Sequence, residues 1–235
     1  MLYVFVALVF FPDHQDSLQA LSVHVNITDS LQRQFISTSD ITDRLRRESL
    51  YPIGKSLNDV STQAIEDAVM QFPVLRRVQC YKTCGGDICI DVWQQVPVLR
   101  VISDDSGVSY SGANYYVCQD RNILYATSHT ACFVPVVTGS VSQEMATTEL
   151  FDFVSWLREN SFWDAQIEQI VVTPQQDIQL IPRVGSHTII LGKIDSYQQK
   201  LQKLQTFYSE AFNQIGWIAY REIDLRFNGQ VIGRK

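Results

Sequence analysis

The sequence predicts an α+β protein in which a β-α-α-β-β unit precedes a mostly antiparallel β domain with helices packed on one face. Three observations lead there. Between residues 19 and 98 one strand-like run is followed by two capped helix patterns and then by two strand-like runs around Gly85-Gly86. From Pro97 onward short apolar runs recur between loops rich in Ser, Gly and Asp, and two helix patterns interrupt them. The composition, 46% apolar and 19% charged over 235 residues, is globular and sufficient for two cores of ordinary size.

In the first unit Leu21, Val23, Val25 and Ile27 alternate with Ser22, His24 and Asn26, so Leu18 to Thr28 reads as a half-buried strand with His24 on its polar face. Ser39 and Asp40 open a helix whose last turn carries Arg, in line with its dipole, and Tyr51-Pro-Ile-Gly54 ends it. A second helix starts at Ser61, with Val60 and Ile65 placed as a hydrophobic staple and Ala64, Ile65, Ala68 and Val69 as its buried stripe; Pro73 stops it. Val74 to Lys82 and Asp87 to Gln95 then flank the glycine turn as a hairpin.

Strands are expected at Val98 to Ser103, Tyr115 to Val117, Asn122 to Ala126 and Phe133 to Val137. Thr147 or Thr148 caps a helix whose stripe is Leu150, Phe153, Val154 and Leu157. Ile167 to Thr173 and Asp177 to Ile181 form a hairpin, and His187 to Gly192 a further strand. A long helix over Asp195 to Gln214 carries Leu201, Leu204, Tyr208 and Phe212 on one side and is stopped by Gly216.

The chain ends on a segment with a partner in prospect. Ile223, Leu225 and Phe227 alternate with Asp224 and Arg226, giving an apolar face and a charged face, and Asn228-Gly229 is a strong turn or bulge signal. As an uncovered edge strand this segment would offer backbone N–H and C=O groups to another chain, with main-chain bonds giving affinity. The other reading, a strand already paired on both sides, stays open.

A net charge of −6 and a pI near 5.2 argue against a nucleic-acid surface, since neutralising phosphates takes clustered Lys and Arg. The densest basic run, Arg44, Arg46 and Arg47, is interrupted by Leu45 and flanked by Asp43 and Glu48, as on a solvated helix face. Cys80, Cys84, Cys89, Cys118 and Cys132 lack the repeated pair spacing of a zinc site, so no metal is expected. Cys80 and Cys89 flank the Gly85-Gly86-Asp87 turn and are a possible disulfide across the hairpin; free buried thiols are the alternative.

Met1 to Phe11 is an apolar run ending at Pro12, short of the ~20 residues that span a bilayer and without the basic start of a signal peptide. It reads as part of a longer membrane anchor, or else as a strand or signal remnant. The first is favoured because so apolar a terminus is otherwise a liability.

The search for catalytic chemistry gives little. There is no phosphate-cradling glycine loop, no Gly-x-Ser-x-Gly and no His-Glu-x-x-His. His129 near Cys132 is a weak thiol–base coincidence, and His187 sits at a strand start where a local hydrogen bond is the simpler role. Glu159, Asp164 and Glu168 cluster near a helix end, but a glycosidase pair must face across a cleft. Neither a cofactor nor a small-molecule substrate is expected.

A resemblance to a known family is carried by three blocks. Ala64-Ile-Glu-Asp-Ala-Val-Met-Gln-Phe-Pro-Val-Leu-Arg-Arg-Val-Gln-Cys-Tyr-Lys82, followed by Asp87-Ile-Cys-Ile-Asp-Val-Trp-Gln-Gln-Val-Pro-Val-Leu-Arg-Val101, resembles the end of a POTRA module of FtsQ/DivIB bacterial cell-division proteins. Phe133-Val-Pro-Val-Val-Thr-Gly139 is similar to that family's proline-to-glycine strand end. Ser161-Phe-Trp-Asp-Ala-Gln-Ile-Glu-Gln-Ile170, Leu180-Ile-Pro-Arg-Val-Gly185, Gly216-Trp217 and Tyr220 to Val231 resemble the β domain of its Bacteroidetes-type members.

The resemblance implies a partial membrane anchor and linker over 1–18, a POTRA domain over 19–98 and an FtsQ-type β domain over 99–235. It implies a single-pass inner-membrane protein, with most of its chain in the periplasm and enriched at the division septum. Such a protein acts as a non-catalytic divisome scaffold. FtsB- and FtsL-type partners would bind at the last strand, which falls on Ile223, Asp224, Leu225, Arg226 and Phe227, with Asn228, Gly229, Gln230 and Val231 after it. A POTRA-type periplasmic chaperone or assembly factor for envelope proteins is the alternative. The sequence departs from the family in two places. Phe227 lacks the hydroxyl of the Tyr found in some relatives, and the Asp-x-x-Gly turn is here Cys118-Gln-Asp-Arg, which predicts a rebuilt turn.

Overall fold

The computed structural model describes residues 18–28, 35–103, 114–127, 132–212, 216 and 220–235. Met1 to Phe11, the linker after it and His129 lie outside them. The chain divides into two compact units between Gln95 and Val96. That is slightly before the expected boundary at 98, because the strand starting at Pro97 already pairs within the second sheet.

The first unit runs β1 (Ser22–Ile27), α1 (Thr38–Arg47), α2 (Thr62–Met70), β2 (Leu75–Lys82) and β3 (Asp87–Gln94), with sheet order β1-β3-β2. β1 is parallel to β3 and β2 antiparallel to it. β1 begins later than Leu18 because residues 18–20 pair elsewhere: Ala20 N–H donates to Lys55 O (2.9 Å) and Leu57 N–H to Leu18 O (2.9 Å). The α1 cap is Ser37, two residues before the expected Ser39. Asp40 then stands at the third helical position, where its N–H donates to Ser37 Oγ while its carboxylate accepts from Ser37 N–H (2.9 Å). α2 is capped by Ser61, and Val60 and Ile65 are both buried.

The second unit continues with β4 (Pro97–Ser103), β5 (Asn114–Cys118), β6 (Ile123–Tyr125) and β7 (Val136–Gly139). Three helices follow, α3 (Gln143–Thr147), α4 (Glu149–Glu159) and α5 (Ser161–Gln166), then β8 (Ile167–Val172), β9 (Ile178–Pro182) and β10 (Thr188–Gly192). Last come α6 (Tyr197–Phe207), a π-turn (Tyr208–Phe212), β11 (Glu222–Asp224) and β12 (Ile232–Arg234). Among the described residues these strands form one nine-stranded sheet of order β12-β11-β10-β9-β8-β7-β4-β5-β6.

Most neighbours in this sheet are antiparallel; β4-β7, β7-β8 and β10-β11 are parallel. Two of the parallel pairs follow from helical crossovers, α3 to α5 between β7 and β8, and α6 between β10 and β11. Leu150, Phe153, Val154 and Leu157 of α4 join Leu201 and Leu204 of α6 in one core with Val137, Ile170, Leu180, Ile189 and Ile223 of the sheet. Phe153 and Trp156 meet Tyr197 edge-on at 5.0 and 5.4 Å, so the two crossovers lie side by side.

The long helix expected to reach Gln214 instead loosens at Tyr208, where the side chain enters the core and its hydroxyl meets His187 Nε2 at 2.7 Å. His187 is buried with this local bond, and burial lowers its pKa. The turn expected to be rebuilt keeps a left-handed residue: Arg121 has φ 62, and its N–H donates to Cys118 O at 2.8 Å. Its guanidinium binds Asp152 (2.6 Å) and Thr147 O (2.8 Å) and lies 4.5 Å from the Phe151 ring. These contacts offset a backbone cost of about 1 kcal/mol or more.

Candidate partner-binding edge

The sheet ends at β12, and the expected edge segment lies one strand further in. β11 is bounded by β10 on one side, in parallel register Ile189↔Ile223, and by β12 on the other, in antiparallel register Ile223↔Gly233. Leu225 N–H donates to Ile190 O (2.9 Å). Ile223, Asp224 and Leu225 are fully buried and so present no side chain to a partner. This corrects the expectation that Ile223 to Phe227 is the open strand. The Asn228-Gly229 signal is real, but it links β11 to one more short strand that closes over it.

The remaining expected residues lie at the surface of this hairpin. Arg226, Phe227, Asn228, Gly229 and Gln230 are exposed, and Val231 is half-buried against the core. Phe227 O accepts from Lys203 Nζ at 3.2 Å, and Asn228 and Gly229 border a polar groove with Gln199, Gln202, Lys203 and Thr206 of α6. Ile232, Gly233 and Arg234 form the outer strand, and sequence reasoning missed them. The available signal was the apolar pair Val231-Ile232 following a hairpin turn.

A charge network fastens β12 to β11. Asp224 accepts from Arg226 through the backbone N–H (3.1 Å), Nε (3.0 Å) and Nη2 (2.7 Å), and Arg234 Nη2 lies 3.5 Å away. Arg234 also reaches Glu222 at 3.3 Å. Hydrogen bonds from Arg226 hold the Asp224 carboxyl below the usual carboxylate range, against the opposing effect of burial. The carboxylate is covered rather than deep, because the guanidiniums that cover it are themselves partly in solvent. The stem of Arg226 rests on Gly192, where a Cβ would come within 2.7 Å of Arg226 Cγ. On the core side, Gly233 leaves room for the Tyr220 ring, which lies beside Phe207 at 6.0 Å.

Cys80 and Cys89 do not face each other. The hairpin pairs Cys80 with Ile90 and Tyr81 with Cys89, an offset of one residue that puts the thiols on opposite faces, and both are free. Cys80 points into the core, where burial raises its pKa to about 12, and its N–H donates to Glu66 Oε1 at 2.6 Å. β2 is an edge strand, so Glu66 of α2 occupies a donor on that edge. Of the acids near the α4 end, Asp164 lies 3.8 Å from Arg158, while Glu159 and Glu168 are exposed.

The fold is that of a two-domain protein, a POTRA-like unit followed by a mixed sheet with an antiparallel hairpin at each margin. The family model described as FtsQ/DivIB, C-terminal related, matches residues 96–234, and the POTRA-like domain model matches residues 19–93. The chain belongs to the FtsQ/DivIB family. Its domains are those of a cell-division scaffold and are non-catalytic in general. No curated protein matches the chain.

Proposed function

We propose that the protein is a non-catalytic divisome scaffold of the bacterial envelope that captures FtsB/FtsL-type partners by strand addition along β12 during septum formation. The observation that carries this reading is the position of Ile232–Arg234 as the edge strand at the C-terminal margin of the large sheet, opposite the β6 edge. Main-chain groups on its outer side supply affinity, and the exposed Arg226 to Gln230 connection with Val231 flanks the incoming segment. Ile223, Asp224 and Leu225 act from behind by fixing the hairpin. Met1 to Phe11 belongs to the single membrane anchor, which holds the folded units in the periplasm at the septum.

Successive N–H groups of a strand point to opposite sides, so of two variants N-methylated at Ile232 or at Gly233, made by ligating a synthetic C-terminal segment, one removes an outward donor while sparing the ladder to β11, and neither adds a Cβ beside the Tyr220 ring. Titration of the partner's periplasmic segment should show one of these variants losing binding while its melting midpoint stays near that of the parent. Retained binding by both variants contradicts the reading. The chaperone alternative gains no support from the POTRA-like edge at β2, since Glu66 already holds the Cys80 donor there.

A further inference from the structure

Three exposed apolar residues lie on neighbouring segments where the chain enters the first unit. Leu21 is 68% exposed, Ile53 46% and Leu18 41%. Backbone hydrogen bonds join the segments that carry them. Gly54 N–H donates to Ala20 O (3.0 Å), which sets Ile53 and Leu21 on either side of a single hydrogen bond, and Leu57 N–H donates to Leu18 O (2.9 Å). Leu21 N–H donates to Gly86 O (2.9 Å), and the Leu21 side chain lies over that glycine.

The same segments and those bonded to them carry cations. Lys55 Nζ donates to Ser49 O (2.6 Å), Lys82 Nζ donates to Leu57 O (2.5 Å), and the Arg46 guanidinium stacks 4.8 Å from the Tyr51 ring. The acids to set against them are Asp87, which accepts from Ser22 Oγ at 2.6 Å, Glu48, paired with Arg44 at 2.7 Å, the exposed Asp59, and, in sequence just before Leu18, Asp13 and Asp16. An isolated exposed leucine needs no explanation, but three exposed apolar residues on adjoining hydrogen-bonded segments, with Lys and Arg beside them in the chain, match the chemistry of an anionic lipid surface.

The sequence supplies the proximity. The apolar run ends at Phe11, and residues 12–17 separate it from Leu18, a link that spans at most about 25 Å fully extended. We propose that these segments seat against an anionic bilayer, with Leu18, Leu21 and Ile53 entering the headgroup layer and Arg46, Lys55 and Lys82 meeting lipid phosphates. The proposal rests on the reading of Met1 to Phe11 as membrane anchor and adds to it a defined orientation of the first unit.

The test uses the full chain reconstituted in vesicles of phosphatidylglycerol and phosphatidylcholine in equal parts, doped with a lipid carrying a headgroup diazirine. After irradiation, peptides covering 18–22 and 50–57 should be labelled and the α2 peptide 62–70 should not. The double variant L21D/I53D should lower labelling of 50–57 about tenfold without moving the melting midpoint. Lys55→Glu should lower it on these vesicles but not on phosphatidylcholine alone. Labelling that is uniform across the unit, or unchanged in the variants, in protein that floats with the vesicles overturns the seating and leaves the anchor intact. Protein that fails to float overturns the anchor reading and the seating together.

Discussion

Asp224 on β11 and Arg234 on β12 approach to 3.5 Å, so the strand offered to a partner is held in place by an ion pair to a carboxylate that Arg226 already grips. The exposed guanidiniums temper the value of each contact, because solvent screens them. Arg226→Ala should nevertheless cost about 1–2 kcal/mol, since it removes the Nε and Nη2 donors from a covered carboxylate and leaves it only the backbone N–H. Arg234→Ala should cost less than about 1 kcal/mol. Urea unfolding of the two variants checks this order, and equal, negligible effects contradict it.

The same network sets an acid limit. The Asp224 carboxyl titrates below its unfolded value, so its contribution is fully present above the unfolded carboxylate pKa and is lost as pH falls through the folded one. Stability should therefore decline in that acidic window, and Asp224→Asn should flatten this part of the curve. An unchanged slope in the variant sinks the assignment.

His187 acts in a milder range. Burial lowers its pKa, so the unfolded chain binds the extra proton first and stability falls as pH drops from about 6.5 toward the folded value. His187→Gln keeps a hydrogen-bonding group near the Tyr208 hydroxyl and removes the titration. Chemical unfolding of both proteins across this range should show the slope only in the parent.

Arg121 tests whether contacts or backbone freedom hold the β5-β6 turn. Arg121→Ala keeps the strained left-handed residue and loses the Asp152, Thr147 and Phe151 contacts, whereas Arg121→Gly loses the contacts but relaxes the backbone. The alanine variant should be the less stable by roughly 1 kcal/mol in thermal or urea melts. The opposite order would show that the turn is not strained.

Thiol chemistry follows from the hairpin register. Native alkylation followed by mass spectrometry should modify exposed Cys84 and half-buried Cys89 quickly and buried Cys80 and Cys118 slowly. A Cys80–Cys89 disulfide recovered from intact, oxidised protein would contradict the register.

Much of the first unit was legible because its signals are local. The Ser61 cap, the Val60-Ile65 staple and the glycine turn each specify an element within a few residues. The cysteine pairing was not, because a shift of one residue across a hairpin exchanges its faces and nothing local reveals it. The C-terminal edge failed for a different reason. Alternation put Ile223 and Leu225 on one apolar face offered to a partner, but it cannot show that this face is buried or that α6 crosses over to lay β10 parallel to β11. The strand that covers β11 was signalled only by the apolar pair Val231-Ile232 after the turn, and Gly233 weakens that signal. Asp224 read as part of a charged face offered to a partner because its alternation was visible and its two arginine partners were not.

The central claim is that β12 receives the partner strand. Amide hydrogen exchange of the full chain, measured with and without the FtsB-type partner's periplasmic segment, tests it most directly. The account predicts new protection concentrated at Val231 to Lys235, with β11 already slow before addition. Binding that leaves those amides unchanged and protects β6 or the first unit instead would contradict it.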